Sequence, residues 1–174
     1  MLAEQSSDVK SYQNYNLKII IMKKIVLLSL LIIAPIFGFS QASSKRVKEF
    51  NLENKIAIKG YDPVAYFKQN KAVKGKEMYA ASYDGVTYNF SSQENKAAFE
   101  ANPKAFEPQY GGWCAFAMGD YNKKVDINPE TFKIVNGKLY LFYNAYFNNT
   151  LKSWNKNESQ LKQNADKNWQ TIIN

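Results

Sequence analysis

Gly60-Tyr61-Asp62-Pro63-Val64-Ala65-Tyr66-Phe67 is the stretch from which the rest of the chain can be read. Ile56-Ala57-Ile58 leads into it, and the glycine and the Asp-Pro pair then read as an entry arm closing in a turn, with Asp62 placed to cap the residues after it. A second dense cluster, Tyr110-Gly111-Gly112-Trp113-Cys114-Ala115, lies further along. Its glycine pair reads first as a tight turn and second as a place where backbone comes close to a ligand. The two clusters are expected to meet in space.

Between them, Met78 to Tyr83 and Val86 to Phe90 flank Asp84-Gly85, a pair suited to a two-residue type I′ hairpin turn. Ser91 and Glu94 have capping-box spacing ahead of a helix over Lys96 to Ala101, which Asn102-Pro103 stops and Phe99 anchors to the sheet. A second hairpin joins Phe132-Lys133-Ile134-Val135 to Leu139-Tyr140-Leu141-Phe142-Tyr143 through Asn136-Gly137. Lys68 to Lys76 reads as a surface loop. Past Asn144, Phe147, Leu151 and Trp154 recur at helical spacing, which predicts an inward apolar face, and Leu161, Ala165, Trp169 and Ile172 predict a last helix. The predicted class is α+β: a small antiparallel sheet built from two β-hairpins, with helices packed around it.

The composition narrows the chemistry. The 174 residues include no histidine, which removes the commonest general base and the commonest zinc ligand. Cys114 is the only cysteine, so no intramolecular disulfide forms and the fold must hold by packing. The formal charge of +8 is carried almost wholly by lysine, with Arg46 the sole arginine. Lysines supply dispersed point charges rather than the bidentate fork of nucleic-acid readers, so no nucleic-acid partner is expected. No pair of carboxylates has a spacing that singles it out for acid and base work, and Asp126 with Asn128 is only a fragment of a calcium loop.

Met22-Lys23-Lys24 followed by the apolar run Ile25 to Phe39 reads as a signal peptide, cleaved before Gln41 or one register further on. The expected organisation is a non-native extension over 1–21, a signal peptide over 22–41, an N-terminal arm over 42–55 and one domain over 56–174. Export to the periplasm or beyond is the expected localisation, with membrane attachment only through an uncleaved signal segment.

In order along the chain, Gly60 to Phe67, Tyr88 to Ser91, Phe99 with Pro103, Pro108 to Ala115, Lys138 to Leu141 and Ala165-Asp166 with Trp169 resemble the landmarks of the YHS-domain family. The resemblance spans most of Ile56 to Ile173. It implies a small, metal-linked module and no defined reaction. The related short forms carry cysteines at the strand end corresponding to Phe90-Ser91, and this chain has none there, so a cysteine-rich site does not transfer.

Three readings follow. The leading one is a non-catalytic binding domain for a soft metal such as copper, with Cys114 and Met118 at i and i+4 as ligands if Trp113 to Met118 is helical. Tyr61, Asp62, Tyr66, Tyr110, Gly111, Gly112 and Trp113 would then line the adjoining pocket. A third donor would have to come from Met78 or from the Cys114 of a second copy, which makes a homodimer one expected arrangement. The second reading is a redox enzyme or enzyme accessory subunit using Cys114 as a thiolate at a helix start. The third is a structural interaction module for an envelope protein partner, with Cys114 a small buried hydrophobe beside Trp113 and Phe116.

Overall fold

Asp84 and Gly85, at φ 46° and 83°, and Asn136 and Gly137, at 51° and 70°, take up the left-handed geometry that a type I′ turn requires. In this computed structural model, residues 19, 21–23 and 45–174 are described. Most of the expected extension over 1–21 and of the signal segment lies outside them, as does the cleavage site. The chain divides into Met1–Gln41 and Ala42–Asn174, and the second unit carries the architecture. Among the described residues no helix is long and apolar enough to cross a membrane.

The first hairpin joins β3 (Lys76–Tyr83) to β4 (Val86–Phe90). Short strands β1 (Leu52–Glu53) and β2 (Ile56–Ala57) extend it to four strands in the order β1-β2-β4-β3, with β2 parallel to β4. The second hairpin, β5 (Asn128–Val135) with β6 (Lys138–Phe142), forms its own two-stranded sheet, so the hairpins do not merge. Another small hairpin pairs β7 (Asn144–Ala145) with β8 (Asn148–Asn149).

After a helical stretch over 45–49, the described residues form helices α1 (Pro63–Gln69), α2 (Gln93–Ala101), α3 (Pro103–Phe106), α4 (Ala115–Asp120), α5 (Thr150–Trp154) and α6 (Glu158–Ile173). The class is α+β, as the pattern predicts. Helix α1 corrects the reading of this segment as only a turn followed by a loop: Asp62 caps it and Pro63 sits in its first turn, where a missing N–H costs nothing. Helix α2 starts earlier than expected and is capped by Ser92, not Ser91. Phe99 does anchor it, with ring centroids 4.7 Å from Tyr88 and 5.1 Å from Phe90.

Strand β6 decides how the interior is divided. It is buried on both faces, and its alternation sends Leu139 and Leu141 into one cluster with Val64, Tyr66, Tyr88, Phe90, Phe99 and Cys114. Tyr140 and Phe142 enter the other, with Met118, Trp154, Leu161 and Ala165. Helices α4 and α6 approach so closely here that a Cβ on Gly119 would lie 2.3 Å from the Leu161 carbonyl oxygen. Asn168 Nδ2 closes the same seam by donating to the Met118 carbonyl at 2.8 Å.

Phe147 corrects the periodicity reading. Leu151 and Trp154 lie on α5 and pack inward, but Phe147 sits at the tip of the β7–β8 hairpin, where its side chain is wholly exposed. The i+4 and i+3 spacing is accidental because the hairpin ends just before α5 begins.

Candidate functional site

Both sequence clusters contain a left-handed helical turn. Ile58, Lys59 and Gly60 have φ 51°, 51° and 76°, closed by Tyr61 N–H donating to the Ile58 carbonyl at 3.0 Å. Tyr110, Gly111 and Gly112 have φ 56°, 59° and 83°, closed by Trp113 N–H to the Tyr110 carbonyl at 3.1 Å. Left-handed backbone costs a non-glycine residue about 1–2 kcal/mol, and a β-branched one such as Ile58 is rarely found there, so the surroundings must hold these turns in place.

They are held by long-range hydrogen bonds. Gly60 O accepts from Gly75 N–H at 2.9 Å. Asn51 serves the second turn twice, donating its N–H to Gly111 O at 2.9 Å and its side-chain Nδ2 to Gly112 O at 3.2 Å. The same Nδ2 donates to Asp126 Oδ1 at 3.0 Å, while Lys59 Nζ reaches Asp126 Oδ2 at 2.6 Å. A chain of polar contacts from Lys59 through Asp126 and Asn51 therefore links the two motifs.

Of the seven candidate pocket residues, Tyr110 and Gly111 border one groove. Asp62 is fully buried and committed to structure: Oδ1 caps α1 by accepting from Val64 N–H at 2.8 Å and Ala65 N–H at 3.2 Å. Its Oδ2 accepts from Ser91 N–H, the Ser91 hydroxyl and Asn95 Nδ2 at 2.8, 2.6 and 2.7 Å. Tyr66 is buried and donates to the Pro129 carbonyl at 2.9 Å, and burial drives its phenol well above the ordinary range. Tyr61 lies under Lys74, whose Nζ is 4.9 Å from the ring centroid.

Tyr110 donates to Asp166 Oδ1 at 2.9 Å, and burial followed by that carboxylate bond raises its phenol far above normal. Trp113 Nε1 donates to the Glu49 carbonyl at 2.7 Å. Gly112 is held by Asn51 as described. The polar side chains of Asp62, Tyr66, Tyr110 and Trp113 are thus engaged within the fold and serve as structural groups.

Two shallow grooves lie beside the turns. One of about 230 Å³ runs past Glu53, Lys59, Gly60, Lys74, Glu77 and Asn89. The other, of about 290 Å³, runs past Arg46, Phe50, Glu107, Tyr110, Gly111 and Trp169. Arg46 there is already paired with Glu107 and stacked over Phe50, with its guanidinium carbon 4.4 Å from the ring centroid. Glu107 also accepts from the Tyr88 hydroxyl at 2.5 Å. The two grooves share no lining residue.

Cys114 is buried with none of its surface exposed. It is the N-cap residue of α4, as a helix-start cysteine should be, but its side chain caps nothing. Its Sγ instead accepts from Tyr143 N–H at 3.3 Å and lies 3.4 Å from the Thr150 hydroxyl, sealed under β6 and α5. Met118 is equally buried, one turn on, yet it packs in the Tyr140 and Phe142 cluster whereas Cys114 packs with Leu139 and Leu141. Met78 is three-quarters exposed on β3. Among the described residues no group of three or more Cys, Asp or Glu side chains is arranged to hold a metal ion. Of the sulfur donors named by the sequence, Cys114 and Met118 pack in separate clusters and Met78 lies on the surface of β3.

The polar partners that define the region, Asn51, Lys59, Asp126, Tyr143 and Thr150, were missed by sequence reasoning. Each acts across the fold, as in the pairing of Asn51 with Asp126, so no local spacing could reveal them. Asp62 was legible as a cap because capping is local.

The family model of the YHS domain matches residues 64–110. The match runs from α1 to the start of the second left-handed turn and includes neither Gly60 nor Cys114. Comparison with curated proteins finds no match, and comparison with solved structures finds none either.

Proposed function

We propose that this chain is an exported, non-catalytic interaction module whose binding is done by its surface and not by a bound metal or a reactive thiol. The observation that carries this reading is the position of Cys114. The only thiol of a chain without histidine is shut inside the core and already engaged by Tyr143 and Thr150.

A soft metal at Cys114 would have to part β6 from α5 to reach the sulfur, and Met118 would have to leave its own cluster to join it. A thiolate enzyme would need the sulfur at the open N-terminus of α4, where helix amides favour the anion. The sulfur accepts no bond from those amides. Two tightly held left-handed turns and a fully bonded Asp62 suit a stiff scaffold instead.

Anaerobic Cu(I) titration of the reduced protein against a competing chelator, beside Cys114→Ser and Met118→Leu, tests the reading. Binding no tighter than that of the Cys114→Ser variant is expected. Tight, stoichiometric binding that is lost in Cys114→Ser would overturn the reading and restore the copper assignment.

A further inference from the structure

Four two-residue hairpin tips occur among the described residues: Asp84-Gly85 and Asn136-Gly137 obey ordinary turn chemistry, and Asn54-Lys55, between β1 and β2 at φ 51° and 68°, keeps the usual asparagine but has lysine in place of glycine. The fourth has neither. Between β7 and β8 the tip residues are Tyr146 and Phe147, at φ 49° and 63°. Asparagine, aspartate and glycine tolerate this region, whereas a bulky aromatic residue in it is strained.

The strain is not offset by packing. Tyr146 is 91% exposed and Phe147 112%, the most exposed large hydrophobic side chains among the described residues. Neither ring takes part in the aromatic contacts that hold the interior together, such as Tyr140 with Trp154. A chain that places Asp-Gly or Asn-Gly at two tips and Asn-Lys at another gains nothing for its own folding from two strained, solvated aromatics at the fourth. Strain maintained without an internal benefit points to a role outside the molecule.

The setting of the tip favours one kind of partner. The tip borders neither groove. From Asn144 to Asn157 the chain has no acidic residue. The flanks are Asn144, Asn148 and Asn149, and exposed Lys152 and Lys156 follow, neither paired with a carboxylate among the described residues. Two aromatic rings next to uncompensated lysines, in a chain of charge +8, match the interface of an anionic bilayer. There the rings settle at headgroup level and each nearby lysine adds attraction.

We propose that the Tyr146–Phe147 tip is an insertion element by which the folded module rests on an anionic lipid surface. This is independent of whether Cys114 takes a metal. Two rings and a few lysines give reversible, salt-sensitive contact rather than permanent anchoring.

The full chain carries an apolar segment of its own, so the test needs a local probe. Phe147→Trp and, as a control at another exposed hairpin position, Lys138→Trp would be mixed with vesicles of phosphatidylcholine containing phosphatidylglycerol with brominated acyl chains. Each signal is read as the difference from the parent chain, which has three tryptophans of its own. The expected result is quenching and a blue shift for the indole introduced at position 147 and not for the one at position 138. The apparent affinity should fall roughly tenfold when Lys152 and Lys156 are both changed to Gln, or when the vesicles are purely zwitterionic. Equal quenching at both positions would overturn the proposal. So would an unquenched indole at position 147 on protein that sediments with the vesicles. A blue shift of the Phe147→Trp variant that grows with protein concentration in the absence of lipid would also overturn it, because the occupant would then be a second copy of the chain.

Discussion

Lys59 Nζ lies 2.6 Å from Asp126 Oδ2, and through this pair the left-handed turn at 58–60 is joined to Asn51 and the left-handed turn at 110–112. Burial pushes the Asp126 carboxyl up, but the bonds from Lys59 and Asn51 outweigh it and hold the group below the usual aspartate range. A depressed carboxylate contributes stability above its unfolded pKa and loses it as pH falls through the folded one. The loss therefore lies below about pH 4. Asp126 is 54% exposed, so the contribution is screened and stays under about 1 kcal/mol. Urea unfolding of Asp126→Asn should show a small deficit at neutral pH that shrinks as pH falls below about 4, and a deficit unchanged by pH would refute the coupling.

Asp62 should be far less dispensable. Its two oxygens accept from five donors in a site without solvent. Asp62→Ala leaves several of those donors unpartnered and should cost about 3 kcal/mol or more. Thermal or urea denaturation measures this directly. A loss below about 1 kcal/mol would mean that water replaces the carboxylate, and that the cap is not what positions α1.

Glycines with similar backbone angles should behave differently according to their surroundings. At Gly111, φ is +59° and a Cβ would meet Trp169 Cη2 at 2.7 Å and Phe50 Cδ1 at 2.8 Å. At Gly137, φ is +70° and nothing lies within 4 Å. Gly137→Ala should cost about 1 kcal/mol from backbone strain alone, and Gly111→Ala clearly more, since the rings must also move. Equal losses in the two variants would show that the Trp169 and Phe50 rings yield freely.

The features legible in the sequence were those whose cause is local. Asp84-Gly85 and Asn136-Gly137 dictate their hairpins, Asp62 its cap, and Leu161, Ala165, Trp169 and Ile172 the inward face of α6. Phe147 misled because it precedes Leu151 by one helical turn while belonging to a different element. The setting of Cys114 and Met118 was hidden for a deeper reason. Their i and i+4 spacing is helical, but Cys114 is the cap residue outside α4, and the buried strand β6 assigns the two side chains to opposite clusters. The polar link from Lys59 to Asn51 through Asp126 joins residues brought together only by the finished fold.

Replacing the strained tip should stabilise the module. Tyr146→Asn with Phe147→Gly gives the β7–β8 hairpin the same Asn-Gly turn that joins β5 to β6. It removes left-handed strain at two exposed aromatic residues and should raise stability by about 1–2 kcal/mol. Chemical denaturation with unchanged m-value is the appropriate check. Destabilisation by the double substitution would mean that the rings pack against the fold and are not held out from it.

The sealed thiol is the claim on which the functional reading depends, and alkylation kinetics of Cys114 measure it. In the folded protein, labelling by iodoacetamide should proceed only through opening of the seam with Tyr143 and Thr150, at least about a thousandfold slower than in denaturant, and should accelerate in step with destabilisation by urea. Rapid stoichiometric labelling of the native protein, independent of urea below the unfolding transition, would contradict it and return Cys114 to the surface chemistry of a ligand or a nucleophile.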